Sequence, residues 1–440
     1  MTEEKQQTEV KRRKPIAGAI ARKLMENYHF ATIHGSKNED ILVYTDSGTY
    51  RYGGEALIKE QVQLLCKDDA NTHFVGEVLG HIRRSTYISP EVIDEGDNIL
   101  NVNNGLVNMA TCELSAHTPL YHSFIQLPVK FDRNAKCPKI EAFINSIFNR
   151  QDAEVVKEFI GFLLIKNYLF HKALMITGES HTGKTTFVNL VAALIGIKNI
   201  SSITLQDLCD KPFSIAELHG KLANISDDLP SNPVRYAGQF KRLTGESIIT
   251  AERKFKDPFI FTNKAKAIFT CNELPPVQGG DDAYYYRWII VQTSNKFNKE
   301  NCNRQMLKEI TTPEELSGFL NLALKYRAKL LKQNQFSESL GIDQSRERYN
   351  LTVKDSVSKF ITECTIKEPN NWTAKDIIYE AYVDWCADND IPAKANNAFH
   401  RRFQGLLDGN VTVFRPMYLG QQIWAYKGIS LKNNDGLMNQ

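Results

Sequence analysis

The sequence predicts an α/β protein: a parallel sheet with covering helices, preceded by a mixed, mainly helical region and followed by a smaller region of helices and a two-stranded wing. Three observations carry that expectation. The run Ala173–Thr177 is apolar and short enough for a buried parallel strand. Behind it, Phe187, Leu190, Val191, Leu194 and Ile195 recur at the spacing of one helix face, and Gly196 stands where that helix would stop. Two further apolar runs, Lys221–Ser226 and Ala265–Cys271, end in polar residues, as strands do that carry functional groups at their tips.

Between the first strand and its helix lies Gly178-Glu179-Ser180-His181-Thr182-Gly183-Lys184-Thr185-Thr186, a G-x-x-x-x-G-K-[ST] run without mismatch. Strand, glycine-rich turn and helix are the context in which this motif has chemical meaning. The glycines let backbone N–H groups curl around phosphate oxygens, and the helix N-terminus adds the positive end of its dipole. Lys184 is then expected at the β- and γ-phosphates and the Thr185 hydroxyl on a magnesium ion. The loop implies a nucleoside triphosphate.

The chain as a whole sets broad bounds. Its 440 residues allow about two to four domains, each with a core of its own. A composition of 42% hydrophobic and 24% charged residues is that of a globular protein. The net charge of +3 decides nothing before its distribution is known. The longest apolar run, Phe159–Ile165, falls far short of the ~20 residues that cross a bilayer, so no membrane role is expected. Met1-Thr-Glu-Glu-Lys5 opens no secretory signal. None of the eight cysteines forms a C-x-x-C pair, which argues against a zinc ribbon or a disulfide framework. The expected compartment is reducing, most simply the cytoplasm, of the host cell if the protein is viral.

Taken in order, residues 1–14 read as a disordered basic tail ending in Lys11-Arg-Arg-Lys14. From 15 to 165, helices are expected over Ile16–Tyr28, Glu55–Cys66, His73–Arg83, Ile140–Ile147 and Glu154–Leu169. A hairpin is expected over Leu42–Tyr52, and short strands around Asn103-Asn104-Gly105. The nucleotide region spans 166–335. Asp227-Asp228 close its second strand, where a carboxylate could order a metal-bound water or take a proton from the attacking one. Asn272 closes the third, either hydrogen-bonding a γ-phosphate or simply turning the chain before Pro275. Thr250–Phe261 alternates apolar and basic residues like a hairpin with a basic tip. Five Lys/Arg against two acids over 251–266 would suit a nucleic-acid backbone. Arg287 stands directly before the strand Trp288–Val291, a good place for a residue fixed at a subunit boundary. Thr312-Pro313-Glu314-Glu315 reads as a capping box opening a helix to about Gln333.

The polar stretch Lys332–Gln344 reads as a linker, and 345–432 as a last domain. Helices are expected near Val357–Cys364, after a Thr373 cap, and over Asn397–Leu407. A strand pair, Val411–Phe414 with Gln422–Ala425, would then turn at Leu419-Gly420, which is the pattern of a winged helix. Residues 391–432 carry six Lys/Arg, Arg401 and Arg402 among them, against one acid, Asp408. That excess is the footprint of a nucleic-acid-binding module.

In this order the motifs resemble a superfamily 3 DNA helicase, the helicase portion of the primase–helicases of plasmids, phages and large DNA viruses. The resemblance rests on Gly178–Thr186, on Asp227-Asp228, on the hairpin Gly245–Phe259, and on Lys266 through Asn272–Pro275. Asn104–Leu114 with His117-Thr118-Pro119, and Tyr379–Cys386, resemble the flanking domains. The resemblance implies an AAA+-like motor, usually a homo-hexameric ring, that hydrolyses ATP with Mg2+ and unwinds DNA during replication. By position it makes Lys184, Asp227, Asp228, Asn272 and Arg287 catalytic, Arg287 as a finger in the neighbouring site. Thr185 and Asp227 become metal-side groups, and Arg253, Lys254 and Lys256 a pore hairpin on single-stranded DNA. Arg401 and Arg402 would meet duplex at the winged helix. Relatives often carry Glu in the acidic pair, which leaves open which Asp is the base. No fused primase domain of the family's kind is expected in these residues, so a separate primase or polymerase is an expected partner. The alternative is an ATP-dependent origin-binding initiator or loader that does not itself unwind.

Overall fold

The computed structural model describes residues 16–34, 39–96, 98–230, 232–255, 257–277, 280–293, 295–297, 303–337, 344–345, 347, 349, 356–389, 393–407 and 411–432. It is a mixed α/β protein with a parallel sheet and helices. The basic tail expected over 1–14 lies outside these residues.

The chain opens with α1 (Ala17–Asn27), β1 (Phe30–Ile33), β2 (Ile41–Tyr44), β3 (Tyr50–Tyr52), α2 (Gly54–Cys66), α3 (Thr72–Ser85) and β4 (Tyr87–Ile88). The expected hairpin is β2–β3. Its sheet also holds β1, which pairs antiparallel with β2 and parallel with β4. Phe30–Thr32 are buried on both faces, so β1 shows no alternation by which the sequence could mark it. The three helices bury Leu24, Ile58, Val62, Val78 and Ile82 in one small core. A second sheet follows: β5 (Ile99–Val102), β6 (Gly105–Asn108) and β7 (Glu113–Ser115).

Helices α4 (Pro138–Ile147) and α5 (Arg150–Phe162) come next. The second differs from the expected Glu154–Leu169 at both ends. Asn149 caps it, accepting the Asp152 N–H at 2.9 Å, which moves the start forward by a turn. After Phe162 the apolar residues stay buried off the helix, and Lys166 is drawn to the carbonyls of Asp94 and Gly96 at 2.7 and 2.6 Å. An all-apolar run reads the same on or off a helix, so periodicity could not mark that end.

The central sheet contains β8 (Ala173–Thr177), then, after α6 (Lys184–Ile195), β9 (Ile200–Ser201). Beyond α7 (Leu205–Asp210) come β10 (Ala223–Ser226) and α8 (Ala237–Leu243), then the antiparallel hairpin β11 (Ile248–Ala251) and β12 (Phe259–Thr262). Next are β13 (Lys266–Cys271), α9 (Asp282–Tyr286) and β14 (Trp288–Gln292). The strand order is β14-β8-β13-β10-β9, every pair parallel. A sheet built this way is buried on both faces, hence its unbroken apolar strands. One face packs on α4, α5, α6 and α11 (Pro313–Gln333), which follows α10 (Met306–Ile310). That core runs from Leu100 to Phe336 and so crosses residue 165. The other face packs on α7, α8 and α9.

Half of the expected capping box is made. Thr312 accepts the Glu315 N–H at 3.4 Å, but the buried Glu315 carboxylate turns away from its own helix. It accepts Lys139 and Ile140 N–H at 3.3 and 3.1 Å, capping α4 instead. The stretch expected as a linker from Lys332 begins as packed chain. Phe336 is buried against Phe159, Phe162 and Phe170, and Ser337 N–H bonds Glu158 at 2.8 Å.

The last region holds α12 (Ser356–Cys364), β15 (Thr365–Ala374), α13 (Lys375–Asp388), α14 (Asn396–Leu406) and β16 (Thr412–Phe414). After these come β17 (Met417–Tyr418), β18 (Gln421–Gln422) and β19 (Ala425–Leu431). The sheet order is β15-β19-β16, with β17–β18 as a separate two-stranded tip. The partner of β16 is therefore β19, further along than the expected Gln422–Ala425. Thr373 is a strand residue, bonding Ile429 O at 3.1 Å, and does not cap α13. No helix among the described residues is long and apolar enough to cross a membrane.

Candidate active site

Parallel strands deliver their C-terminal tips to one edge of a sheet, and that edge is where such sheets bind ligands. Here β8, β10 and β13 end side by side there, followed by the loop 178–183, Asp227-Asp228 and Asn272. The loop turns on two glycines in the left-handed region, Gly178 at φ 153° and Gly183 at φ 91°. A Cβ on Gly183 would stand 2.8 Å from Ile147 Cγ2, so close packing of α4 on the loop also requires glycine. His181 holds φ 64° without being glycine.

Lys184 is the first residue of α6, and its Nζ donates to Gly178 O and Glu179 O, both at 2.6 Å, and to Asn272 Oδ1 at 3.1 Å. Burial holds its ammonium below the ordinary value, and Cys271, Asp227 and Asp228 pull it the other way. Asn272 reaches the lysine because β13 stands between β8 and β10 in the sheet. On β10's side, the Thr270 hydroxyl donates to the Asp227 carboxylate and accepts the Asp228 N–H at 2.9 Å. Asp228 itself sits at φ 53°. Thr185 is exposed at the mouth of the site.

These groups line one cavity of about 490 Å³ together with Phe143, Phe297, Asn303 and Met306. Its size is that of a small-molecule pocket. Of the nine loop residues, Ser180 through Thr186 line it, whereas Gly178 and Glu179 stand outside. Glu179 pairs with Lys296 at 2.7 Å. Thr182 is buried, tying Glu179 O at 2.9 Å and Thr293 Oγ1 at 2.7 Å, so its side chain braces the loop. Thr270 was missed in the sequence although it lies two residues before Asn272, on the same face of the strand. Phe143, Phe297 and Met306 come from distant elements and carry no local signal.

Arg287 is not at this cavity. It precedes β14, at the opposite edge of the sheet, and its Nη1 donates to Ala283 O at 2.6 Å. Burial lowers the guanidinium, while Asp281 and Tyr168 favour its charge. Beside it, Lys172 donates to Tyr286 O and lies 3.7 Å from the Tyr286 ring centroid.

The basic hairpin differs from the expected alternation. Arg253, Lys254 and Phe255 lie beyond the paired strands, in the turn, so a strand's two-sided pattern does not apply to them. Arg253 folds back over the Phe259 ring at 4.7 Å. Phe255 is fully exposed at φ 62°, with Lys254 exposed next to it. Lys256 lies outside the described residues. On α14, Arg401 is exposed. Arg402 is half-buried near Tyr285 of α9: burial pushes that hydroxyl up and the Arg402 charge opposes it.

Residues 3–149 match the family described as D5 N terminal like, the N-terminal region of phage and viral primase–helicases. Residues 176–287 match a family of unknown function, DUF5906. The first match likens residues 3–149, and not the chain as a whole, to replication proteins of the primase–helicase type. No curated protein matches the chain. Among solved structures, an A-form apo structure of the NrS-1 C-terminal region is 13% identical, with 94% of this chain and 99% of that one covered and a TM-score of 0.47. A second A-form structure of that region is 12% identical, covering 94% and 100% at a TM-score of 0.46.

Proposed function

We propose that the chain is an ATP-dependent replicative DNA helicase, an AAA+-like motor that works as a homo-hexameric ring. The observation that carries this reading is the convergence of Lys184, the Thr270–Asp227 pair and Asn272 on one cavity at the strand tips. In that reading ATP draws Lys184 off the carbonyls of Gly178 and Glu179 onto the β- and γ-phosphates. Asn272, 3.1 Å from the lysine, would then stand near the terminal phosphate. The donor set suits Mg2+, which takes one or two carboxylates and leaves room for phosphate oxygens. Thr185 and Asp227 would hold it, and the ion would offset phosphate charge. Thr270 orients Asp227, and either that residue or Asp228 takes the proton of the attacking water.

Arg287 lies across the sheet from its own cavity, so it can serve catalysis only in a neighbour's site, which favours a ring. In such a ring Arg253, Lys254 and Lys256 would meet single-stranded DNA in the channel, as sequence-independent phosphate contacts. The order α12-β15-α13-α14-β16-wing-β19 supports a winged helix that meets duplex through Arg401. In that reading the protein would act in the cytoplasm.

The test joins two assays. Lys184→Ala is expected to cut ATP hydrolysis by about 10²–10³-fold, the loss typical of removing one group from a developing charge. Lys254→Ala is expected to abolish ATP-driven strand displacement on a forked duplex. Rings should be visible by electron microscopy. A Lys184→Ala chain that hydrolyses at the wild-type rate rejects the site. A wild-type chain that hydrolyses ATP and grips duplex without displacing a strand would instead make it an initiator or loader.

A further inference from the structure

The outer face of the last sheet carries large rings where a solvated face ordinarily carries polar side chains. Tyr426 of β19 is buried in the core that α12, α13 and α14 share, so its neighbours Ala425 and Lys427 belong to the opposite face. A bulge between Glu368 and Trp372 brings Trp372 of β15 opposite Lys427, and Phe414 of β16 stands opposite Ala425. Trp372 meets Phe414 and Tyr418 edge to face, each at 6.1 Å between ring centroids. Arg415 follows Phe414 in the chain and lies 3.9 Å from the centroid of the Trp424 ring, with Lys375 at 5.4 Å. These rings are not core. Trp372 is 36%, Tyr418 41% and Trp424 49% exposed. Three cations, Arg415, Lys375 and Lys427, therefore stand among half-open rings. The one acid on strands β15–β19, Glu368, is tied to Asn371 at 2.6 Å and to Ser430. Asp376 belongs to α13 and lies near His400 of α14.

Open rings interleaved with cations match an unpaired nucleic-acid strand: a base stacks on the ring while the cation beside it meets the phosphate. A duplex makes little use of such a surface, because its bases are already stacked and offer only their edges. We propose that the outer face of the wing binds an unpaired DNA strand, with Trp372 and Trp424 stacking on bases and Arg415 and Lys427 on phosphates. This surface is separate from α14, whose Arg401 is assigned above to duplex and whose Arg402 lies near Tyr285 of α9. It needs neither the ATP cavity nor a ring. Only the choice of DNA over RNA rests on the proposed function.

The test uses the full-length chain without nucleotide and two fluorescein-labelled probes, an oligothymidylate and a blunt duplex, read by anisotropy. Trp372→Ala and Trp424→Ala are each expected to weaken the oligothymidylate about 5- to 100-fold, the loss typical of one stacked ring. The duplex should bind within about twofold of wild type. Trp424→Phe, which keeps a ring, should bind the single strand close to wild type. Arg415→Gln should lower the slope of log affinity against log salt by about 0.7, the share of one single-strand phosphate. Wild-type affinity in both alanine variants would overturn the proposal and leave the wing as a surface for another partner. Equal losses on both probes, or a phenylalanine variant as weak as the alanine one, would overturn stacking. Tighter binding of oligouridylate than of oligothymidylate would make the strand RNA and overturn the choice of DNA. A readout on the wild-type chain removes any folding defect from the question. Oligothymidylate carrying 5-iododeoxyuridine, crosslinked by light, should mark peptides holding Trp372 or Trp424, and adducts confined to the hairpin at Lys254 and Phe255 would overturn the site. Lys184→Ala should leave every one of these affinities unchanged, whatever it does to ATP hydrolysis, so the wing and the ATP reading fail separately.

Discussion

Thr270→Val is the substitution that most directly tests how the acidic pair is held. Threonine and valine share a shape, so the change removes a hydroxyl from a fully buried position without opening a cavity. Two hydrogen bonds go with it, the donation to Asp227 and the acceptance from Asp228 N–H. A bond to a charged group contributes about 1.5–3 kcal/mol and a neutral one about 0.5–1.5. Asp227 is exposed, so water replaces part of the lost bond, and the cost to folding should stay near 1–2 kcal/mol. Catalysis is less forgiving. A carboxylate freed to move by about 1 Å can lose about 10²-fold in rate, because orientation is what it supplies. We expect Thr270→Val to lower kcat for ATP about 10- to 100-fold with KM little changed, and Thr270→Ser, which keeps the hydroxyl, to stay close to wild type. Steady-state hydrolysis beside urea unfolding separates the two effects. A valine variant that loses stability but turns over within about twofold of wild type would refute the reasoning. A serine variant as slow as the valine one would show that the hydroxyl is not the cause.

Three further outcomes are expected. Arg287→Ala chains should bind ATP and hydrolyse it poorly, and mixing them with Lys184→Ala chains should restore part of the activity. No rescue in confirmed mixed rings would count against a shared site. Lys266 is fully buried, and burial drops its ammonium to about 7. The unfolded chain then holds the extra proton between about pH 7 and roughly 10.4, so stability should rise through that window by at most about 1.4 kcal/mol per pH unit. The penalty is whole below the window, and Lys266→Met should flatten the rise in urea melts at about pH 7 and 9; equal slopes would refute it. Tyr349 is buried among Tyr284, Tyr285 and Trp288 and donates to Pro275 O at 2.7 Å, three residues past Asn272. Tyr349→Phe should cost about 1–2 kcal/mol of stability, and an unchanged melting temperature would show that this bond contributes nothing.

What the sequence shows of this molecule follows from the range over which each signal acts. The loop and its helix are legible because a strand, two glycines, a lysine and a 3.6-residue period are all local. Asn272 and Asp227-Asp228 are legible for a related reason: each closes an apolar run, and a run that ends in a polar residue marks a strand tip. The companions of these residues are not legible. Phe143 and Met306 reach the cavity only because α4 and α10 fold against α6, and nothing near either residue announces it. Glu315 illustrates a subtler failure. Its spacing from Thr312 is that of a capping box, but two free N–H groups of α4 lie nearby and take its carboxylate. Local propensity proposes a bond there, and tertiary packing supplies a better one. At the hairpin tip the alternation of charge is real in the sequence, but alternation implies two faces only while the chain remains a strand.

The sheet order sets the cavity at the strand tips and the basic hairpin at the two ends of one strand. The hairpin β11–β12 runs directly into β13, and Asn263 at the junction donates to Leu243 O at 2.9 Å and Ala265 O at 3.1 Å, pinning its base to α8. β13 is then buried over its whole length and paired on both sides, ending at Thr270, Cys271 and Asn272. A close-packed strand has little room to deform. The residues that would sense a terminal phosphate therefore stand at one end of a stiff element, and the exposed Lys254 and Phe255 hang from the other. Strand β8 could not serve this way, because its N-terminal end meets Lys172 and Arg287 and not the hairpin. Inserting β13 between the loop strand and the acidic strand brings Asn272 to Lys184 and joins that contact to the hairpin through a single strand.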